Sequence, residues 1–130
     1  MTNSFGAVLY ANNVARVASF YEAVADLHVA EADTSWVRLR SPSADFELVV
    51  HGIPAHIAAS IHIATPPDIR EDTPIKLVLP ARSLTLARDA ADRLGGAVFP
   101  DARAWSQAGF LHCDGYDPEG NVFQLRVLTR

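Results

Sequence analysis

Two stretches of this chain repeat each other at a fixed offset, and the repeat restricts the architectures open to it. Adding 70 carries Val8 to Val78, Leu9 to Leu79, Ala11 to Ala81, Asn13 to Ser83, Val14 to Leu84, Val17 to Ala87 and Val24 to Leu94. Adding 77 carries Phe46-Glu47-Leu48 onto Phe123-Gln124-Leu125, so the second copy holds seven extra residues, expected in the loop before residue 110. At 130 residues the chain has room for one ordinary domain. The copies must therefore share a core, within the chain or across a dimer.

Each copy reads as βαβββ. Phe5 to Ala11 is a short apolar run, and Asn13 is placed to cap a helix over residues 14 to 26, where Val14, Val17, Ala18, Tyr21, Val24 and Ala25 fall on one stripe. Strands are predicted at His28 to Ala32, Trp36 to Arg40 and Phe46 to His51, with Ser41-Pro42-Ser43 as a turn. In the second copy Ile75 to Leu79 is the first strand, and Ser83 caps a helix carrying Leu84, Ala87, Ala91 and Leu94 that Gly95-Gly96 stops. Ala97 to Phe99 follows, then a hairpin of Phe110 to Asp114 and Asn121 to Val127 across Asp117-Pro118-Glu119-Gly120. The expected organisation is one domain, with modules at 1–52 and 75–130. The Pro-rich connection 53–74 between them is irregular, apart from one helical turn near His56 to Ser60.

Composition narrows the class. Hydrophobic residues at 49% and charged residues at 20% are ordinary globular usage, which excludes a disordered, collagenous or coiled-coil chain. A net charge of −4 argues against a nucleic-acid partner held by phosphate neutralisation. One cysteine, Cys113, cannot form an internal disulfide, and its strand position points it to the helix layer as an inert thiol. No segment reads as a signal peptide or a membrane span, so a cytoplasmic location without a membrane partner is expected. Lys76 is the only lysine among eleven basic residues, and alanine is abundant, a usage expected of a GC-rich bacterial genome.

Two signatures carry a resemblance: Val8-Leu9-Tyr10-Ala11-Asn12-Asn13 running into Ser19-Phe20-Tyr21, and the carboxy-terminal Asp117-Pro118-Glu119-Gly120-Asn121-Val122-Phe123-Gln124-Leu125. With the duplicated βαβββ order, they resemble the vicinal oxygen chelate superfamily, which includes glyoxalases, bleomycin-resistance proteins and extradiol dioxygenases. The resemblance spans essentially the whole chain. It implies an α+β fold in which two tandem modules form a curved sheet cleft with helices outside, and a homodimer. It does not imply one function, because the superfamily holds both enzymes and non-catalytic binders.

Metal-binding members take ligands from the first and fourth strands of each module, positions that map here onto Gly6, Glu47, Lys76 and Gln124. Glycine has no donor, a protonated lysine repels a cation, and a glutamine is a weak neutral donor, so no metal or other cofactor is expected. The histidines offer no replacement. His51, His56 and His62 lack a chelating spacing, His112 and Cys113 point to opposite sheet faces, and His28 reads as solvated.

Alternation along the strands sorts the cleft face. It assigns Val8 and Tyr10, then Trp36, Arg38 and Arg40, then Glu47, Val49 and His51 in the first module. In the second it assigns Lys76 and Val78, then Phe110, His112 and Asp114, then Val122, Gln124 and Arg126. The wall mixes aromatic with polar groups, and its basic residues outnumber Glu47 and Asp114. Lys76 would stand in place of the metal charge, held by Glu47, with an arginine forking a ligand anion; alternatively, the arginines are merely solvated and Lys76 and Glu47 neutralise each other. Trp105, in the inserted loop, reads as a lid over the cleft or as an edge residue at a dimer contact.

These readings lead to a metal-independent binder of a small anionic or aromatic molecule. The alternative is a glyoxalase-like lyase or isomerase with Glu47 or His112 as general base beside Lys76. A metal-dependent relative with rearranged ligands such as His51 and Glu47 is a third possibility. Bleomycin-like ligands are cationic, which a positive cleft disfavours.

Overall fold

The computed structural model describes residues 5–129. The first module runs β1 (Phe5–Ala11), α1 (Val14–Val24), β2 (His28–Ala32), β3 (Trp36–Arg40) and β4 (Phe46–Gly52). Its sheet has the order β1-β4-β3-β2, with β1 parallel to β4 and the other pairs antiparallel. A single helical turn, α2 (Ala55–Ala58), interrupts the connection. The second module runs β5 (Leu77–Pro80), α3 (Leu84–Arg93), β6 (Ala97–Val98), a 3-10 turn at Asp101–Arg103, β7 (Trp105–Gln107), β8 (Phe110–Tyr116) and β9 (Val122–Leu128). Its order is β5-β9-β8-β6, again with a parallel first pair, and β7 also pairs with β8.

The two sheets differ at one edge. In the first, β2 lies along β3 as one strand with a bulge between Val29 and Glu31. In the second, the same edge is split: β6 pairs with Tyr116 and Gly115, and β7 pairs with His112 through Phe110. Residues 99 to 104 loop out between them. The offset between equivalent paired residues is 74 at Arg40 and Asp114 and 77 at Glu47 and Gln124, so four of the seven extra residues precede β8 as expected and three lie in the β8–β9 turn instead. Trp105 was expected in a flexible loop; it lies in a strand instead, because Gln107 and Phe110 close a hairpin around two residues. Ala108 and Gly109 both have positive φ, 54° and 83°, as the two-residue turn matching strand twist requires.

One hydrophobic core serves both modules. Helix α1 is the shared element: its N-cap Asn13 accepts from the Arg16 amide at 3.0 Å, and it buries Val17, Phe20, Tyr21 and Val24. Phe20 and Tyr21 meet Phe123 of β9 with ring centroids 5.8 and 5.7 Å away, so the first helix packs on the second sheet as well as its own. All three rings are fully buried, and burial of each such side chain stabilises by about 1.5–3 kcal/mol.

The turn before β9 grips this helix. Glu119 is buried, and its carboxylate accepts the amides of Asn12 and Asn13, both at 2.8 Å, at the helix start. The Tyr21 hydroxyl donates to Asp117 Oδ2 at 2.7 Å, while Asp117 Oδ1 accepts from the Glu119 and Asn121 amides. Gly120, at φ 87°, completes the turn, and a Cβ there would strike the Asp68 carbonyl. Burial, followed by the charge of Asp117 and its hydrogen bond, pushes the Tyr21 phenol well above its ordinary pKa.

Two outcomes follow for stability. Tyr21→Phe removes one donor from buried Asp117 and is expected to cost about 1–3 kcal/mol in urea unfolding. Because Tyr21 keeps its proton in the folded state, its contribution is full below about pH 10 and falls as pH rises further, by up to about 1.4 kcal/mol per pH unit; the phenylalanine variant lacks that part of the alkaline loss. Ala108→Gly relieves a left-handed alanine, so a gain of about 1 kcal/mol is expected, read as a raised Tm.

Candidate functional site

Each sheet turns one face to the core and leaves the other open, and pairing across the strands fixes which residues share the open face. In the first sheet Gly6, Glu47 and Arg40 form one row, Val8, Val49 and Arg38 the next, and Tyr10, His51 and Trp36 the third. The opposite parity, with Val37, Leu39, Leu48 and Val50, is buried. In the second sheet Val78, Gln124 and Asp114 form one row, and Pro80, Arg126, His112 and Trp105 another. Phe110 pairs with Gln107 and Leu128 at the far end. Cys113 faces the core, completely buried, with Sγ donating to the Phe99 carbonyl at 3.2 Å; burial pushes its thiol pKa up.

The charges settle with neighbours on their own sheet. Glu47 Oε1 takes Arg40 at 2.7 Å and lies 3.6 Å from Arg38 Nε, and Arg38 also pairs with Glu31. Lys76 Nζ pairs with Asp114 Oδ2 at 2.7 Å. The expected Lys76–Glu47 pair is therefore not formed: the two residues stand on different sheets, and each finds an opposite charge on its own. No hydrogen bond or ion pair among the described residues joins the two open faces. Arg126 donates through Nε to Gln124 Oε1 at 3.0 Å and keeps the rest of its guanidinium exposed.

His112 is only 4% exposed, and both ring nitrogens are taken: Nε2 meets the Gln107 carbonyl at 3.1 Å and Nδ1 meets Gln124 Oε1 at 3.2 Å. Trp105 stacks on the ring at 5.2 Å with 6° between planes. Trp105 thus covers His112 from the adjacent strand. His51 bonds its own neighbour, the Gly52 carbonyl, at 2.9 Å, and sits 5.7 Å from Tyr10. Trp36 lies under the Arg38 guanidinium at 5.4 Å.

A cavity of about 500 Å³ lies where the β3–β4 turn of the first module meets the open face of the second sheet. Phe46, Val78, Pro80 and Phe110 give it apolar walls, Ser41, Ser43 and Asp45 edge it, and Arg126 supplies the only cation among its lining residues. Of these, sequence alternation placed Val78, Phe110 and Arg126 on the cleft side. It missed the Ser41–Asp45 turn, because a contact between modules leaves no periodic trace.

The fold is that of the vicinal oxygen chelate proteins. The structure resembles a glyoxalase/bleomycin resistance protein from Albidiferax ferrireducens, with a TM-score of 0.64 and 17% identity over 96% of this chain and 97% of that one. It is also similar to the fosfomycin resistance protein FosX from Listeria monocytogenes, at TM-score 0.63, 12% identity and coverage of 99% and 93%. A bleomycin resistance determinant encoded on transposon Tn5 matches at TM-score 0.56 and 16% identity, covering 99% of this chain and all of that one. The sequence matches no protein-family model and no curated protein. Among the described residues no helix is long and apolar enough to cross a membrane.

A structural part for His112 has a measurable outcome. His112→Phe removes both contacts of the buried ring nitrogens, with Gln107 and with Gln124, and an expected loss of about 1–3 kcal/mol is read by urea unfolding.

Proposed function

We propose that this chain is a metal-independent small-molecule-binding protein whose ligand is a small anionic or aromatic compound. The observation that carries the reading is the cavity of about 500 Å³ with aromatic and aliphatic walls and the exposed Arg126 guanidinium at its edge. That volume suits a drug-sized molecule, and a single cation against apolar walls favours an aromatic or aliphatic body with one anionic group. The four positions that map onto the superfamily's metal ligands support metal independence by their chemistry. Gly6 has no donor, Glu47 is tied to Arg40, Lys76 is a cation, and Gln124 Oε1 already accepts from Arg126. This donor set does not fit a divalent ion.

A homodimer belongs to the same reading. Among the described residues the outer edges of β1 and β5 have no strand partner, and Phe5, Val8, Tyr10, Ile75 and Val78 are all at least 40% exposed beside them. A second copy covering these edges would close the open faces into clefts, and gel filtration at the monomer mass would remove that part of the reading.

The alternative, a lyase or isomerase, rests on one observation: Glu47 Oε2 has no hydrogen-bond partner among the described residues, whereas both His112 nitrogens are engaged. Glu47 is thus the better placed base, and Lys76 would stand beside it only if supplied by a second copy. Loss of any substrate C–H exchange in Glu47→Gln would favour this alternative.

The test is a thermal-shift screen of metal-free protein against aromatic and aliphatic carboxylates. A ligand at about 100 times its Kd adds roughly 2.7 kcal/mol, a Tm rise of roughly 10 °C for a chain of this size. Arg126→Gln is expected to abolish most of the shift, and added divalent ions to leave it unchanged. A tightly held stoichiometric metal in the purified protein, or shifts indifferent to Arg126, would overturn the reading.

A further inference from the structure

A second, smaller depression of about 150 Å³ lies on the same open face, beyond the Val78–Gln124–Asp114 row from the Arg126 cavity. Four residues of β9 separate Arg126 from Val122 at its floor, which places the two about 13 Å apart at ~3.3 Å per residue. Arg70, Lys76 and Arg103 line it, with Asp114 and Glu71 as the acidic members and Phe99 as an aromatic wall. Lys76 and Asp114 neutralise each other at 2.7 Å. Arg70 and Arg103 have no ion-pair partner among the described residues.

Both arginines are positioned without a carboxylate partner. The Arg103 guanidinium lies over the Phe99 ring, 3.9 Å from its centroid. Phe99 is fixed in turn: its carbonyl accepts from Arg88 Nη2 at 2.9 Å and from the Cys113 thiol, and its amide donates to Asp114 at 2.9 Å. The Arg70 amide donates to the Gly120 carbonyl at 2.8 Å, anchoring the linker beside the turn that grips α1. Arg70 comes from the linker, and Phe99 and Arg103 from the residues that split the second sheet's edge. These are the two parts of the chain without a counterpart in the first module, so the depression is particular to the second half.

We propose that Arg70, Arg103 and Lys76 form an oxyanion-binding subsite for a carboxylate or phosphate group. The three cations against two carboxylates leave one net positive charge, and either guanidinium can fork the oxygens of such a group. The subsite deepens the small-molecule reading above, on which it rests: the ligand gains a second anionic group here, joined by an apolar body to the one at Arg126 in the larger cavity.

The test uses the whole chain, labelled with 15N, titrated with sodium phosphate and separately with sodium acetate at constant ionic strength. Saturable shifts are expected at the Arg70 and Arg103 Nε–H signals and the Phe99 amide, with a Kd on the order of 1 mM for the better anion; the stronger arm identifies the head group. Arg70→Gln and Arg103→Gln should each weaken binding about threefold or more, Arg103→Lys less, while the exposed Arg82→Gln leaves it unchanged. The varied side chains, Arg70, Arg82 and Arg103, are all exposed, so the fold is retained. Linear, unsaturated shifts with both anions, or equal weakening by Arg82→Gln, would overturn the subsite. Because the signals read here belong to Arg70, Arg103 and Phe99 and not to the Arg126 cavity, a failure here is separate from a failure of the carboxylate screen and its dependence on Arg126.

Discussion

The structure depends on one turn near its carboxy terminus. Asp117 and Glu119 carry their charges inside the protein, and each is supplied with donors from the first helix or from the turn itself: Tyr21 for Asp117, the Asn12 and Asn13 amides for Glu119. Buried carboxylates persist only when such donors are provided. The helix start favours a negative charge, and the Glu119 carboxylate fills that need across a sequence separation of 107 residues. The same contacts set the position of the second sheet on α1, so the Phe20–Tyr21–Phe123 cluster and the common core follow from them. The orientation of the open faces is in this sense a result of the turn.

The open faces differ in how their charge is used. On the first, Arg38 and Arg40 are spent on Glu31 and Glu47, leaving little field for a ligand. On the second, Arg126, Arg70 and Arg103 remain without carboxylate partners among the described residues, and both cavities of interest lie against that sheet. An acidic chain can thus present a locally basic surface. Ion pairs between exposed side chains are worth little to stability, so the distribution is better understood through what it offers a ligand.

The architecture was legible in the sequence because the repeat and the strand alternation are local signals. Val37, Leu39, Leu48 and Val50 alternate with Trp36, Arg38, Glu47 and Val49 as a half-buried sheet must, and the caps Asn13 and Ser83 stand where the helices begin. Less was legible of the site. Which carboxylate Lys76 meets depends on which sheet each strand joins, and strand parity carries no such information. The hairpin at Trp105 was hidden by Ala108, since a left-handed alanine is not a turn signal, although Gly109 beside it is one. Tyr21 read as one more apolar stripe residue, and only the placement of Asp117 shows that its hydroxyl is the partner that matters.

The grip of the last turn on the first helix also bears on how the chain is made. The amides of Asn12 and Asn13 are synthesised 107 and 106 residues before the carboxylate that satisfies them. At roughly 5–20 residues per second, the start of α1 waits about 5–20 s for that partner. Throughout that interval Phe20 and Tyr21 lack Phe123, and the helix surface that belongs against the second sheet is exposed to solvent or to other nascent chains. Completion of the core is therefore a long-range event, and the half that appears first waits for the second to close it.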